Sequence, residues 1–363
     1  MQFNPVIYYG TVASVGSSAG LLFPGNGFGT DVNAKTGSVY NYNLNVQRDV
    51  GLQTILSVAY VGWVGRHLPW AQNVNTVPYG ARFQPANADP SNPALPLNDN
   101  FFRPFPGYGN VNIYSNNGTG NYNALQVTAT RRFMRSLAYG VSYTWSKSMN
   151  YVDGDTGGVP IYRPLRVWNY GKAGFDQTHV LVLNYTWDLP AASRVIHAPV
   201  VHWLLDNWRL SGITTFASGT PLGIGLSTVD GADITGGGDG SRVNVAGRAQ
   251  LAHGDRSQTS WFDRTVFARP GRGDPGNAPK DVFRGPGINN WDATLFKEVP
   301  LGKETRVLQL RWEAYNVFNH RQFLGVDNGA RFDVSGSQVN ARFGQVISAR
   351  SPRIMQVSLR FKF

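Results

Sequence analysis

Apolar and polar residues alternate strictly along much of this chain. In LAYGVSYTWS, large residues from Leu137 to Trp145 occupy every second position, and small or hydroxyl-bearing residues occupy the positions between them. Side chains two residues apart lie on the same face of a β-strand, and no helical repeat fits this spacing. The pattern therefore predicts a strand with one apolar and one polar face.

The same alternation predicts about nine strands, or ten if PVIYYGTV near the start is counted. Short turns at Asp49 to Gly51 and at Phe133 to Ser136 each join two of them into a predicted hairpin, although the apolar face of the strand after Gly51 stays undecided. The other predicted strands are HVLVLNYTWDLP, NWRLSGITTF, WDATLFKEVP, RVLQLRWEAYNVF and the terminal MQVSLRFKF.

The predicted connections between strands alternate in length. The long ones are expected at about residues 64–122, 147–178, 217–290 and 319–352. The segment from Ala191 to Asp206 belongs to the short side but is longer than a tight turn, with room for a helical turn. Short and long connections alternate in this way in transmembrane β-barrels, whose short turns are periplasmic and whose long loops are extracellular.

Alternation alone also fits a soluble β-sandwich, in which a second sheet covers the apolar face. Predicted strands of about ten residues favour a membrane barrel, because that length crosses a bilayer at a tilt. Tryptophans near strand ends suit the aromatic girdles of such barrels. They are Trp63, Trp145, Trp187, Trp208, Trp291 and Trp312. Lys297 stands in an apolar row, but it lies near a turn and is expected to snorkel.

The composition changes this picture little. The chain has 363 residues with 42 Gly, 21 Pro and only 15% charged residues, which favours an all-β protein. The net charge of +11 comes from scattered cations, so nucleic-acid binding is not expected. With no Cys, thiol and disulfide chemistry are excluded. The opening MQFNPVIYYG has no basic stretch before an apolar run, so we expect no signal peptide in it.

The terminal strand resembles the C-terminal signal by which the outer-membrane assembly machinery recognises β-barrel clients. Its apolar row consists of Met355, Val357, Leu359, Phe361 and Phe363. Longer stretches agree with this, among them SVAYVGWVGRHL, GTGNYNALQVTATRRF, FDQTHVLVLNYTWDLP, NWRLSGITTFASGTPL and RWEAYNVFNHRQF. From about Tyr40 onward, the chain resembles the C-terminal part of the Oar-like TonB-dependent transporters of Gram-negative bacteria.

The resemblance implies an antiparallel transmembrane β-barrel in the bacterial outer membrane that imports an unknown substrate. Members of this family have about 22 strands and a plug domain, through which the TonB complex delivers energy. We expect residues 1–363 to form one barrel segment without a plug, either a fragment or a truncated gene product, unable to transport alone. The expected partners are membrane lipid, lipopolysaccharide and the assembly machinery, with TonB only through a plug.

Two other functions stay open. A barrel that closes on its own, for instance with ten strands, would be a passive pore or a surface-binding protein. A soluble β-sandwich hydrolase would use Ser18 of GSSAG, which matches a nucleophile motif but has no strand before it and no helix after it. We expect neither catalysis nor a cofactor.

No residue is assigned to a metal or to a substrate. The six histidines show no metal-binding spacing. They are His67, His179, His197, His202, His253 and His320. The Asp- and Gly-rich segments Asp153 to Gly158 and Asp230 to Gly240 only partly resemble calcium loops. Phe101 to Tyr108 is the most aromatic long segment, and it is the first place to look for substrate contacts.

Overall fold

One large antiparallel sheet dominates the molecule. The computed structural model describes residues 25–134, 136–154, 161–301 and 306–363. Nine long strands lie side by side in chain order, and we call them the wall. They are β1 (Ser38–Asp49), β2 (Thr54–Asn73), β3 (Tyr108–Met134), β4 (Leu137–Asn150), β5 (His179–Asp188), β6 (Trp208–Ala217), β7 (Ile288–Pro300), β8 (Val307–Tyr315) and β9 (Ile354–Lys362). The all-β antiparallel prediction is confirmed.

Short elements surround the wall. Gly25–Thr30 pairs in parallel with the start of β3, and Gly171–Lys172 pairs with the end of β4. The other two-stranded pairs are Ala88–Asp89 with Asn92–Pro96, Pro221–Leu222 with Phe283–Arg284, Gly225–Thr228 with Gly329–Phe332, Asn244–Val245 with Phe267–Ala268, and Phe323–Val326 with Val346–Ala349. Two short helices are α1 (Leu165–Asn169) and α2 (Pro199–Leu205). Single 3-10 turns are Ala81–Phe83, Pro85–Asn87, Asp99–Phe101, Ala192–Arg194 and His253–Asp255.

The strand register places the apolar rows on one face of the wall. Because directly opposed residues in a sheet point to the same side, the pairing can be followed from strand to strand. One apolar row runs through Val357, Trp312, Leu295, Leu210, Trp187 and Leu137. The next row lies on the other face and runs through Gln356, Glu313, Thr294, Ser211, Thr186 and Ala138. The wall therefore has an apolar face and a polar face.

The register also decides the facing of β2, which the sequence left open. Leu44 pairs with Tyr60 and Val46 with Val58, so this row of β2 belongs to the apolar face. Trp63 pairs with Asn41 and therefore lies on the polar face. Its assignment to a lipid-facing girdle is wrong, because the alternation of β2 places the apolar row one residue away from it.

Short connections join β1 to β2, β3 to β4 and β7 to β8 at one end of the wall. The fourth connection there, residues 189–207, holds α2 and a 3-10 turn. The long connections at the other end are residues 74–107, 151–178, 218–287 and 316–353. The first is much shorter than the predicted 64–122, because β2 and β3 stay paired as far as Asn73 and Asn112. The register shifts at His67, where φ is 56°, and this bulge hides the strand continuation from the alternation.

The wall has two unpaired edges within the described residues. β1 pairs only with β2, and β9 pairs only with β8. Both edge strands run from the long-connection end to the short-connection end, because the wall contains an odd number of antiparallel strands. Every other sheet among these residues is a two-stranded pair, too small to cover the wall as the second sheet of a β-sandwich, so the β-sandwich alternative is wrong.

A buried apolar core lies outside the wall, in two of the long connections. It is built from residues 218–287 and 316–353, which are joined by the parallel pairing of Gly225–Thr228 with Gly329–Phe332. Phe262 is its centre, with ring centroids of Phe283, Phe343 and Phe267 at 4.4, 5.1 and 5.7 Å. Separately, no helix in the described ranges is long and apolar enough to cross a bilayer.

Candidate functional site on the long connections

The described residues of the four long connections form one assembly at one end of the wall, which we call the loop crown (residues 74–107, 151–154, 161–178, 218–287 and 316–353). Arg82 connects the first to the third. Its guanidinium donates to Asp99 at 2.6 and 2.7 Å, to Asp233 at 2.8 Å and to the carbonyl oxygen of Gly237 at 2.7 Å. Charge-assisted bonds with two carboxylates fix the relative position of these connections. They also lower the pKa of Asp99, against the effect of burial.

Cations of the third connection also bind the second one. Arg242 donates to the carbonyl oxygen of Trp168 and to Oδ1 of Asn169, both at 2.6 Å, and it lies over the Trp168 ring at 4.3 Å. Arg284 forms an ion pair with the buried Asp176 at 2.5 Å. These contacts join segments that are far apart in sequence, so the crown presents a fixed surface.

A group of half-buried polar side chains lies where three of these connections meet. Tyr79 and Tyr162 contact each other with ring centroids 5.9 Å apart, close to Asp239 and Arg163. Among the described residues, the hydroxyl of Tyr79, Oδ2 of Asp239 and Nε of Arg163 are buried without a hydrogen-bond partner. Burial raises the pKa of Asp239 above its ordinary value. A charged Asp239 is therefore unfavourable in the folded crown.

The aromatic segment from Phe101 to Tyr108 has a fixed backbone and exposed rings. The side-chain amide of Asn75 donates to the carbonyl oxygens of Phe105, Tyr108 and Gly109 at 3.0, 3.1 and 2.8 Å, and Phe105 N donates back to Asn75 Oδ1 at 2.7 Å. Phe101 is 71% exposed and Phe105 49% exposed. The rings of these two residues are therefore free to contact a ligand.

The two calcium-like segments contain carboxylates that already have cationic partners. Asp230 pairs with Arg269 at 3.0 Å and Asp233 with Arg82 at 2.8 Å. Asp153 accepts from Gly174 N at 2.9 Å and lies 3.3 Å from Lys280 Nζ. In the described ranges, no three His, Asp or Glu side chains gather as metal ligands would.

The histidines do not come together into a site within the described residues. His179 bonds to the Tyr143 hydroxyl at 2.8 Å, His202 to Asp206 at 2.8 Å, and His320 to the carbonyl oxygen of Asn289. Ser18 and PVIYYGTV lie outside the described residues.

Lys297 is buried instead of snorkelling, so that expectation is wrong. Its Nζ donates to the carbonyl oxygen of Asp206 at 2.6 Å and lies 5.2 Å from the Trp208 ring centroid. The carboxylate of Asp206, at the end of α2, accepts hydrogen bonds from Ser193 and from His202. The bond from Ser193 contributes most to lowering the pKa of Asp206 to about 2. The connection at residues 189–207 thus covers Lys297 and supplies a hydrogen-bond acceptor for this cation in the apolar row of β7.

The terminal strand presents its apolar row without a protein partner layer. Val357 is 68% exposed and Leu359 66% exposed, although both lie in the middle of β9. On the polar face, Arg311 pairs with Glu313 at 2.5 Å and Lys362 with Glu298 at 3.5 Å. An exposed apolar face beside a polar face with ion pairs is what a barrel requires between lipid and an aqueous interior.

The sequence matches the family described as outer membrane beta barrel domain over residues 3–356. The chain belongs to this family. The barrel domain is located in the bacterial outer membrane. No curated protein matches the sequence significantly.

Several solved structures resemble this barrel domain. The outer membrane transporter YddB from Escherichia coli has a TM-score of 0.47 and 10% identity, over 93% of this chain and 34% of that one. The ferric-catecholate import receptor Fiu from E. coli K12 has a TM-score of 0.40 and 9% identity, over 91% and 28%. The siderophore receptor PiuA from Acinetobacter baumannii has a TM-score of 0.34 and 9% identity, over 91% and 34%. This chain thus spans 28% to 34% of their length.

Sequence reasoning missed the residues that join the crown. Arg82 and Asp233 are 151 residues apart, and Arg284 and Asp176 are 108 residues apart. The only signal in the sequence was the number of arginines and aspartates within long connections, which does not identify pairs.

Proposed function

We propose that this chain forms part of the barrel wall and the extracellular loops of a TonB-dependent receptor that imports a scarce substrate. The observation that carries the proposal is the open wall with two edge strands running in the same direction. The resemblance of the motifs, from SVAYVGWVGRHL to the terminal strand, supports the family of receptors. We assign no catalysis to the chain.

The open edges require further strands. A backbone N–H or C=O group left unpaired in the hydrocarbon region is several kcal/mol unfavourable, so membrane barrels are closed. Direct pairing of β1 with β9 would make a parallel seam, whereas bacterial barrels of this kind pair antiparallel throughout. Closure therefore needs an odd number of additional strands. A receptor of about 22 strands supplies thirteen, if all nine wall strands belong to its barrel.

The proposed partners follow from the two faces and the end of the wall. Lipid and lipopolysaccharide would cover the apolar face. The assembly machinery would recognise the row from Met355 to Phe363, because the outer edge of β9 pairs with no other described strand. The TonB complex would act through a plug domain and not through the wall itself.

A passive pore is the second candidate, because one additional strand would give an even, self-closing barrel of about ten. Planar-bilayer conductance distinguishes the two functions. Steady conductance from membranes containing the natural protein favours the pore, and a closed barrel without conductance favours the receptor.

Comparison of living cells tests the import function although the substrate is unknown. The compounds removed from the growth medium would be compared among wild-type cells, cells lacking this gene and cells lacking the TonB complex. We expect at least one compound whose removal needs both. The proposal fails if every compound that depends on the gene is still removed without the TonB complex.

A further inference from the structure

A cavity of about 660 Å³ lies where the loop crown meets the ends of β4, β6 and β7. Ser218 and Gly219 line it directly after β6, and Lys172 lines it beside β4. Its apolar lining comes from Trp261 and Phe283, which belong to the core of the crown. This volume is in the range of pockets that hold small organic ligands.

Cations outnumber anions around this cavity. Lys172, Arg248, Arg256 and Arg284 line it together with one carboxylate, Asp281. Asp281 is 3.0 Å from Lys172 Nζ, and Asp176 behind the wall of the cavity is 2.5 Å from Arg284. These two carboxylates therefore compensate two of the four cations.

The other two guanidinium groups are not neutralised. Arg256 donates at 3.1 and 3.0 Å to a neutral acceptor, the carbonyl oxygen of Leu251, and lies 5.6 Å from the Trp261 ring centroid. The side chain of Arg248 has no ion pair or hydrogen bond to any residue that the structure describes, and it is exposed at the rim. Two uncompensated guanidinium groups on one cavity attract an anion, and their planar geometry suits a carboxylate.

Hydrogen bonds hold the lining of the cavity in place before a ligand binds. Arg284 donates to the carbonyl oxygen of Gly219 at 2.8 Å, and Trp261 Nε1 donates to the carbonyl oxygen of Arg284 at 2.8 Å. A side-chain carbon on Gly219 would lie 1.9 Å from the carbonyl oxygen of Gly285, so only glycine permits this close approach. A lining that is already fixed lowers the conformational entropy that the protein loses when a ligand binds.

We propose that this cavity binds a small organic anion with one or two carboxylates on an apolar or aromatic body. Arg248 and Arg256 bind the carboxylates, and the body lies against Trp261 and Phe283. The site goes beyond the proposed import function, since it can bind such an anion whether or not the barrel transports it.

Equilibrium binding to isolated outer membranes tests the site in the protein as it exists in the cell. Radiolabelled phthalate serves as the probe, inorganic phosphate as the competitor with charge but no apolar body, and benzamide as the competitor with a body but no charge. Binding to membranes of cells lacking the gene is subtracted, and protein amounts are normalised with an antibody against the loop crown. We expect saturable phthalate binding that either competitor displaces only weakly.

Three variants test whether Arg248 binds the carboxylate of phthalate. Arg248→Ala should weaken phthalate binding about tenfold or more, since it removes a charge-assisted hydrogen bond, and Arg248→Lys should restore part of it. Arg342→Ala is the matched control, because Arg342 is another exposed crown arginine that does not line the cavity. The proposal is overturned by absent saturable binding, by equal losses in Arg248→Ala and Arg342→Ala, or by phosphate competing as well as unlabelled phthalate. Isolated membranes are not energised, so this result is independent of import.

Discussion

The wall and the loop crown place their apolar side chains in opposite ways. In the wall, Val357 and Leu359 are 68% and 66% exposed in the middle of a strand, and no layer formed by the described part of the chain covers them. In the crown, Phe262 and Phe332 are 0% and 1% exposed inside a core that three aromatic neighbours of Phe262 complete. This contrast indicates that water surrounds the crown, whereas lipid contacts the apolar face of the wall. Water drives the crown to bury its apolar side chains, whereas lipid allows the wall to expose its own.

The largest effect should come from removing the centre of the crown core. Phe262→Ala leaves a cavity among Phe283, Phe343 and Phe267 and should destabilise the crown by about 3–5 kcal/mol. Hydrogen exchange in outer-membrane preparations should increase in residues 218–287 and 316–353, while the wall keeps its protection. Equal loss of protection in the wall would mean that the two regions do not have separate sources of stability.

A charge on the apolar face should have the next largest effect. Leu359→Arg should destabilise the assembled barrel by about 2–4 kcal/mol if the residue lies near the bilayer midplane. Gln356→Arg, on the polar face and directly opposite Glu313, is the matched control and should be tolerated. Urea unfolding of the membrane-embedded protein measures both, and equal destabilisation would contradict the facing of β9.

Loss of an ion pair between connections should matter less. Arg82→Ala removes the bonds to Asp99 and Asp233, whose side chains are each 34% exposed, so screening limits the loss to about 1–2 kcal/mol. Protease sensitivity of residues 74–107 should rise, whereas Arg342→Ala should leave it unchanged. If Arg82→Ala leaves the protease sensitivity of residues 74–107 unchanged, packing alone joins the two connections.

The smallest expected effect concerns the charge on Asp239. Because burial raises the pKa of Asp239 above 3.8, its contribution to stability is full below that unfolded value and is lost as pH rises through the folded pKa. The ionised carboxylate is unfavourable in its buried position, so Asp239→Asn should stabilise the crown slightly at pH values above the folded pKa and should flatten the change in stability as pH rises from 3.8. Hydrogen exchange at several pH values measures the stability of the crown. A less stable Asp239→Asn variant would mean that the Asp239 carboxylate stabilises the crown.

The wall was predictable from the sequence because a repeat of two residues fixes which side chains share a face. This succeeded for β4, β8 and β9, where apolar and polar positions are clearly different. It left β2 undecided, because Ile55 and Val61 on its polar face are apolar too, and only pairing with Leu44 and Val46 decides the register.

The crown could not be predicted in the same way. Phe262, Phe283 and Phe343 come from segments with no repeat, and their contacts depend on how connections fold over one another. The cavity at Arg248 has the same limitation, since its lining comes from residues between 172 and 287 that no local pattern relates. Long-range geometry, rather than local propensity, builds this part of the molecule.

The facing of neighbouring residues in the middle of the wall tests the central claim most directly. The chain contains no Cys, so single cysteines at Val127 and Gln126 of β3 would be the only thiols in it. In intact outer membranes, we predict that Gln126→Cys reacts with a small water-soluble thiol reagent, while Val127→Cys reacts only with a lipid-soluble one. Equally fast reaction of both variants with the water-soluble reagent would contradict a wall whose apolar face contacts lipid.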